Sequence, residues 1–246
     1  MPNRRNHKRH EKAYRQYESR EPAEQDLYTH PSPVRKKDFK TPVLNAKTEN
    51  QHEYIRSIIQ NKITICSGPA GCGKSFIAAG LASEHILAGK IENIIVTRPL
   101  VCTGSNIGSL PGELHEKINP FLVPMQENLK FFLGIKMYGF YTNEKQIRFE
   151  PLELMRGATF NNAYMILDEA QNCTLEQIKM FITRMGRDSK VLINGDVRQT
   201  DLRGQNGLDS CMDRLSHLMD IGICKLTHDD IQRNDIIASV LRALED

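Results

Sequence analysis

The eight residues from Gly68 to Ser75 have the spacing G-x-x-x-x-G-K-S, which is suited to binding phosphate groups. The three glycines of this run permit backbone angles that turn successive N–H groups inward onto phosphate oxygens. Lys74 would reach the β and γ phosphates of a nucleoside triphosphate, and the Ser75 hydroxyl would be a ligand for Mg²⁺. The residues of this predicted phosphate loop are Gly68, Pro69, Ala70, Gly71, Cys72, Gly73, Lys74 and Ser75.

Two adjacent acids, Asp168 and Glu169, follow an apolar run at residues 165–167. We expect Asp168 to hold Mg²⁺, directly or through water, and Glu169 to polarise a water molecule for in-line attack on the γ phosphate. The alternative is an acid pair that caps a helix starting near Leu175. The phosphate loop favours the catalytic interpretation, because both acids would reach the same edge of a sheet as the loop.

A third polar segment, with the sequence Gly-Asp-Val-Arg-Gln, occupies residues 195–199 after the apolar run at 191–193. Gln199 is a candidate sensor of the γ phosphate, because the amide of a buried Gln needs partners. A phosphate oxygen and the attacking water would supply them. Taken alone, this spacing also fits an ordinary turn. Its position after the phosphate loop and the acid pair favours the sensor.

The elements around these residues alternate between strands and helices. Apolar and β-branched runs predict strands at residues 63–65, 93–97, 164–167, 190–193 and 222–226. Helical spacing is present at residues 54–59, 75–88, 175–185, 208–219 and 236–244. This alternation predicts an α/β fold with a doubly wound parallel sheet. Residues 105–155 contain four prolines, and we expect short helices laid over the sheet there.

The composition is that of one folded domain with a polar extension. The 246 residues suffice for one buried α/β core and are too few for two domains of ordinary size. No run approaches the roughly 18 apolar residues of a membrane-spanning helix, so we expect no membrane partner. The six cysteines form no CxxC pair, which disfavours a disulfide framework or a zinc site.

The N-terminal residues differ in charge from the rest of the chain. Residues 1–40 carry eleven Lys or Arg against six Asp or Glu, a surplus of five, so the net charge of +3 leaves the remainder at −2. We predict a disordered tail over residues 1–45, because it has almost no apolar surface to bury, and a folded domain that carries the phosphate loop over residues 46–246. The tail either binds nucleic acid phosphates or is a solvated extension. It lacks the apolar segment of a secretory signal, so we expect a cytoplasmic protein.

The order of these motifs resembles that of the PhoH-like ATPases, relatives of the superfamily 1 helicase motor domain. The matching motifs are the phosphate loop, Thr97-Arg98-Pro99, Asp168-Glu169-Ala170-Gln171-Asn172, and Gly195-Asp196 followed by Gln199. Segments beyond the generic nucleotide motifs also match, at residues 110–114, 116–118, 155–163 and 180–186. The resemblance implies a RecA-like core that hydrolyses ATP, an RNA or DNA partner, and assembly into homo-oligomeric rings such as hexamers.

The resemblance also implies roles for four further residues. Gln51 matches the position at which helicase relatives read the adenine edge, which supports ATP over GTP; a surface helix residue is the alternative. Arg233 matches an arginine that related motors place against the γ phosphate, within one subunit or from a neighbour. A helix-capping role is its alternative, and Gln232 replaces the usual Val of the family. Arg98 and Arg156 match positions that face the nucleic acid, and ion pairs within the fold are the alternative.

Three classes of function remain open from the sequence. The first is an ATPase that couples hydrolysis of Mg²⁺-ATP to movement on, or remodelling of, single-stranded RNA or DNA. The second is an ATP-dependent oligomeric switch or assembly module without motor activity. The third is an endoribonuclease, for which the sequence offers no convergent set of metal-binding acids away from the ATP site. A kinase is disfavoured, because Glu169 directly after Asp168 suits activation of water.

Overall fold

A computed structural model of the chain describes residues 42–99, 114–199 and 206–232, with side chains in the second range described from residue 122 onward. The predicted disordered tail, apart from its last four residues, and the predicted helix at 236–244 lie outside the described residues. The helices are α1 (Glu49–Gln60), α2 (Lys74–Leu87), α3 (Leu114–Asn143), α4 (Leu175–Ile182) and α5 (Gly207–Leu215). The strands are β1 (Ile63–Ser67), β2 (Asn93–Thr97), β3 (Ile147–Phe149), β4 (Ala163–Leu167), β5 (Lys190–Gly195) and β6 (Ile221–Lys225).

The six strands of the described residues form one parallel sheet in the order β3-β2-β4-β5-β1-β6. The central strands are continuous apolar runs and are buried on both faces, as strands of parallel sheets usually are. β1 lies between β5 and β6, with Ile63 opposite Val191 on one side and Ile221 on the other. β5 therefore separates β1 from β4, which is the strand order of a RecA-like domain. The predicted α/β fold with a parallel sheet is confirmed.

Two hydrophobic cores flank the sheet, because successive strand residues point to opposite faces. On one face, Ile94 and Leu192 belong to a core that includes residues of α1, α2 and α3. On the other face, Ile95 and Ile193 belong to a core that includes residues of α4 and α5. The sheet is thus doubly wound, and loops converge at the carboxyl ends of its strands.

The region between β2 and β4 differs from the sequence-based expectation of several short helices. α3 covers thirty residues as two helical segments joined by a kink at Gly134, whose φ of 73° and ψ of 152° are not helical. The expectation of short helices was wrong for the first of these segments, which continues through Pro124 because an apolar face that includes Leu129 and Leu133 is buried against the core. Neither α3 nor any other helix of the described residues is long and apolar enough to cross a bilayer.

β3 is an edge strand that the sequence did not predict. Its three residues pair with β2, with Ile94 opposite Ile147 and Val96 opposite Phe149. So short a run, with Arg148 at its centre, has too little apolar alternation to indicate a strand. The hydrogen bonds to β2 therefore stabilise this strand, which the local sequence does not indicate.

Residues before α1 already belong to the folded body. Leu44 is half-buried and packs on the core beside α2. A Cβ atom at Gly80 of α2 would lie 3.0 Å from both Leu44 Cδ1 and Phe132 Cζ, so the absence of a side chain at Gly80 makes room for Leu44. The packed part of the chain therefore includes residue 44.

Replacing Gly134 by Ala should lower the free energy of unfolding by about 1–3 kcal/mol, because residues with a Cβ rarely adopt its backbone angles. Each kcal/mol corresponds to about 2–4 °C in Tm for a chain of this size. Gly139, with open space at its Cβ position, is the matched control in the same helix. Gly139→Ala should be neutral or stabilise by up to about 1 kcal/mol. Thermal unfolding followed by circular dichroism measures both, and equal responses would contradict a specific role for Gly134.

Candidate active site

The phosphate loop connects the end of β1 to the start of α2. Gly71 and Gly73 have φ angles of 87° and 92°, left-handed values that favour glycine. Gly68 is required for a different reason, since a Cβ atom there would lie 2.7 Å from Leu226 Cβ, directly after β6. The loop is therefore shaped both by its own turns and by a close approach to a neighbouring strand.

Lys74 places its ammonium group inside this loop. Its Nζ donates to the Gly68 carbonyl and, at 2.9 Å, to the Pro69 carbonyl. Gly73, the residue before α2, provides no side-chain cap, so the N–H groups in the first turn of this 14-residue helix are directed to the loop with their partial positive charge. The glycine cradle, the ammonium group and the helix terminus together fit the phosphate groups of a nucleotide.

Ser75 and Asp168, the two predicted metal ligands, are in contact. Ser75 Oγ donates to Asp168 Oδ1 at 2.8 Å, and Asp168 N donates to the Thr97 carbonyl at 3.0 Å. Burial, and after it the negative charge of Glu169, raise the pKa of the Asp168 carboxyl above its ordinary value. Hydroxyl and carboxylate oxygens are ligands that Mg²⁺ accepts, and a divalent charge would offset the cost of the buried carboxylate. The pair therefore fits Mg²⁺.

Glu169 has a strained backbone at the carboxyl edge of the sheet. Its φ of 57° and ψ of 41° lie in the left-handed region, which costs a residue with a side chain about 1–3 kcal/mol. Both carboxylate oxygens have partners, because Arg98 Nη2 lies 3.4 Å from Oε1 and Gln171 Nε2 donates to Oε2 at 2.6 Å. The Glu169 side chain is still 39% exposed. Glu169 is thus oriented by two side chains while remaining accessible to water.

The segment at residues 195–199 is tied to both neighbours on the sheet edge. Asp196 N donates to Gln171 Oε1 at 3.0 Å, and Val197 N donates to Ser67 Oγ at 3.1 Å. Gln199 N donates to the Asp196 carbonyl at 3.1 Å, while the Gln199 side chain is exposed. The sequence-based interpretation assumed a buried Gln, so its premise is wrong. A role for Gln199 as sensor stays a prediction.

Gln51 is buried beside the phosphate loop, with 3% of its surface exposed. Its Nε2 donates to the Cys72 carbonyl at 3.0 Å, and its Oε1 accepts from Lys47 N at 2.8 Å. The alternative of a surface helix residue is therefore wrong. The Gln51 amide connects the residues before α1 to the phosphate loop, and its contact with adenine stays a prediction.

The buried acid Asp230 organises the segment after β6. Its carboxylate accepts hydrogen bonds from Thr48 Oγ1 and, at 2.6 Å, from Thr227 N. Burial opposes ionisation, but the hydrogen bonds to the carboxylate together outweigh burial and lower the Asp230 pKa. The segment continues to Gln232, whose N–H donates to the Gly71 carbonyl at 3.1 Å. This second chain segment therefore also holds the phosphate loop.

The three arginines implied by the family resemblance have different placements. Arg98 forms an ion pair with Glu169 inside the site. Arg156 is exposed and directly follows the short 3-10 helix Leu152–Met155. Arg233 lies outside the described residues. Contacts of Arg98 and Arg156 with nucleic acid, and of Arg233 with a phosphate, stay predictions.

Sequence reasoning gave no role to two polar residues at the site, Ser67 and Gln171. Ser67 directly precedes the phosphate loop, and Gln171 lies within the matched motif Asp168-Glu169-Ala170-Gln171-Asn172, two residues after Glu169. Their partners, Val197 N and Asp196 N, belong to a distant part of the chain. The sequence signal was therefore a position next to a motif for Ser67 and within a motif for Gln171, and local spacing does not reveal these partners.

Three features define a P-loop NTPase of the RecA-like type. They are the phosphate cradle between β1 and α2, the buried acid after β4 that contacts the loop serine, and the second acid beside it. The sequence model of the family described as PhoH-like protein matches residues 43–245. The chain belongs to this family. The identification from motif order is confirmed.

Curated relatives match most of the chain. A PhoH-like protein of Synechocystis is 38% identical over 205 residues, which cover 82% of this chain and 62% of the relative. A PhoH-like protein of Bacillus subtilis is 38% identical over 211 residues, covering 85% and 66%. Protein PhoH of Escherichia coli K12 is 36% identical over 207 residues, covering 82% and 58%. The chain thus spans about three fifths of the length of these relatives.

Solved structures show weaker similarity. The UvsW helicase of bacteriophage T4 has a TM-score of 0.47 and 14% identity, covering 76% of this chain and 64% of that protein. The Pif1 helicase of Candida albicans has a TM-score of 0.41 and 16% identity, covering 82% and 45%. The strand order of the sheet, rather than these scores, therefore identifies the fold.

Replacing Asp168 by Asn should raise the Tm at neutral pH when neither nucleotide nor Mg²⁺ is added. The raised pKa means that the folded state binds this proton more tightly than the unfolded chain does. Stability is therefore lost as the pH rises through the raised pKa, and a neutral Asn avoids that loss. The gain in Tm, about 2–4 °C per kcal/mol, should shrink as the pH falls toward the ordinary carboxyl value of 3.8.

The measurement is thermal unfolding of both proteins from about pH 4 to about pH 8. The exposed Asp213 of α5 provides a matched control, since Asp213→Asn removes the same charge outside the site and should change Tm little. A lower Tm for Asp168→Asn at neutral pH would show that the buried carboxylate does not destabilise the site.

Proposed function

We propose that the protein hydrolyses ATP in a Mg²⁺-dependent reaction and couples hydrolysis to binding or remodelling of single-stranded RNA or DNA. The observation that carries this proposal is the 2.8 Å contact between Ser75 Oγ and Asp168 Oδ1 beside the phosphate cradle, with Glu169 next along the chain. Nucleotide hydrolysis requires oxygen ligands for the metal, a cradle for the phosphates and a carboxylate that orients water. All three lie at one edge of this sheet. Gln51 supports adenine as the base through its place beside the loop.

In the proposed reaction, the oxygen of a water molecule bonds to the γ phosphorus while the bond from that phosphorus to the β–γ bridging oxygen breaks. Glu169 orients the water and accepts a proton from it, and this proton then passes to the released phosphate. Lys74 and the N–H groups of the loop stabilise the negative charge that develops on the phosphate oxygens. Ser75 and Asp168 would hold Mg²⁺, which would supply further neutralisation of that charge.

The position of Arg98 supports a nucleic acid partner. Its side chain is 26% exposed and pairs with Glu169. A guanidinium group binds phosphate oxygens as readily as carboxylate oxygens, so a phosphate of RNA or DNA would compete for Arg98. This competition would free one oxygen of Glu169 for water, and nucleic acid would then accelerate hydrolysis. The surplus of five positive charges in residues 1–40 adds attraction for phosphates.

We also propose a homo-oligomeric assembly and a cytoplasmic location for this protein. The family resemblance implies a homo-oligomeric ring, such as a hexamer, in which Arg233 reaches the γ phosphate of its own or a neighbouring subunit. Support comes from the exposed side of the site, where the Gln199 side chain and part of Glu169 remain accessible to a second surface. The cytoplasm is the compartment proposed for this activity.

Lys74→Ala should reduce ATP hydrolysis by about 100-fold or more, because it removes a positive charge aimed at the phosphates. Lys62→Ala is the matched control, since Lys62 pairs with Asp220 on the surface. Glu169→Gln should still bind a fluorescent ATP analogue while losing hydrolysis to a similar extent. Phosphate release, measured with and without Mg²⁺ chelation, gives the rates. A wild-type protein without hydrolysis, or hydrolysis that survives Lys74→Ala, would rule out the proposed reaction.

The same variants separate the other two classes of function. A nucleotide switch without turnover would show ATP-dependent changes in assembly size that are equal in wild type and Glu169→Gln, with no phosphate released. An endoribonuclease would cleave labelled RNA with metal and no ATP, and would retain cleavage after Lys74→Ala.

Arg98→Ala should remove the stimulation of hydrolysis by nucleic acid. We expect wild type to be stimulated by single-stranded RNA or DNA by about fivefold or more, the lower range for coupling between two sites. The variant should hydrolyse ATP at the same rate with and without nucleic acid. Arg187→Ala, which removes an exposed arginine elsewhere, should keep the stimulation. Equal stimulation of wild type and Arg98→Ala would show that Arg98 does not couple nucleic acid binding to ATP hydrolysis.

A further inference from the structure

Gln171 uses both ends of its side-chain amide to connect two motifs. It is 5% exposed and lies in the short 3-10 helix Ala170–Asn172 that follows Glu169. Its Nε2 donates to Glu169 Oε2 at 2.6 Å, and its Oε1 accepts from Asp196 N at 3.0 Å. One buried side chain therefore joins the carboxylate after β4 to the backbone after β5.

Two features of the backbone make this connection possible. The left-handed conformation of Glu169 turns the chain so that Gln171 comes back to the Glu169 side chain. At Gly195, a Cβ atom would lie 2.7 Å from Gln171 Oε1 and 2.9 Å from Gln171 N. Any larger residue at position 195 would displace the amide. Both motifs are therefore shaped to admit Gln171 between them.

We propose that Gln171 is a positioning residue for ATP hydrolysis, which fixes the Glu169 carboxylate relative to the segment at residues 195–199. This inference rests on the proposed function. A Glu side chain has three rotatable bonds, and a base that orients water must be confined to one arrangement. Gln171 supplies that confinement from a backbone N–H group, which has little freedom to move because Asp196 directly follows β5.

The geometry also assigns different tasks to the two oxygens of Glu169. Gln171 occupies Oε2, whereas Oε1 faces Arg98 at the longer distance of 3.4 Å. When a phosphate draws Arg98 away, Gln171 still holds the carboxylate through Oε2, and Oε1 becomes the oxygen that meets the water. A displacement of the segment at 195–199 would move the same carboxylate through Gln171.

Two substitutions at Gln171 test this inference. Gln171→Met keeps the length of the side chain and removes both hydrogen bonds, and Gln171→Glu keeps the acceptor for Asp196 N while losing the donor to Glu169. Both should lower kcat by about 10- to 100-fold, as misplacement of a reacting group does, while the Kd for a fluorescent ATP analogue changes by less than about threefold. Gln177→Met, which removes a capping residue of α4, is the matched control and should leave kcat unchanged.

A double-mutant cycle separates positioning from general support of the fold. If Gln171 acts through Glu169, adding Gln171→Met to Glu169→Gln should slow single-turnover hydrolysis by less than about threefold further. A purely structural role would give the same loss in both backgrounds. Circular dichroism identifies any variant that does not fold, in which case the closely isosteric Gln171→Glu decides.

The outcomes distinguish this inference from the proposed function. An active wild type in which both Gln171 variants keep kcat within about threefold, or lose the same factor with and without Glu169→Gln, overturns the inference alone. A wild-type protein without hydrolysis overturns the proposed function and this inference with it.

Discussion

β1 is hydrogen-bonded on both sides, to β5 and to β6, so its carboxyl end cannot shift relative to either neighbour. The same pairing extends beyond the strands, because Gly68 N donates to the Gly195 carbonyl at 3.1 Å and Leu226 N donates to the Ser67 carbonyl at 2.8 Å. The phosphate loop therefore begins at a point set by three strands. The polar segments after β5 and β6 diverge from that same point, which is why they can contact the loop.

Two residues at the carboxyl edge of the sheet lower the stability of the folded domain. A carboxylate is buried at Asp168, and Glu169 adopts a strained backbone, while the strands behind them are fully buried apolar runs. Strain of this kind persists where the surrounding structure over-determines the conformation. Ligands that bind only the folded state would return stability to the protein, because binding shifts the folding equilibrium. The residues that carry these costs are thus also the ones on which ligand binding acts.

Local patterns in the sequence predicted the features that depend on local structure. The buried strands were visible as apolar runs, and the phosphate loop was visible because its glycines, Lys74 and Ser75 are consecutive. The position of the kink in α3 was not predicted. The prolines suggested that the helix would end near Pro124, but burial of its apolar face keeps it helical there, and the non-helical angles fall at Gly134. The roles of Gln171 and Asp230 were also hidden, because they depend on hydrogen bonds between segments that only the fold brings together.

The link made by Gln51 has a consequence for the chain that precedes the domain. One end of its amide binds the Cys72 carbonyl in the phosphate loop, and the other binds Lys47 N just before α1. If the loop rearranges and the Cys72 carbonyl moves away, the Gln51 amide loses its hydrogen bond to that carbonyl. The hydrogen bond to the Lys47 N–H group then changes, and so does the rate at which this N–H group exchanges with solvent deuterium. The rate of deuterium exchange at the Lys47 N–H group therefore reports the conformation of the phosphate loop.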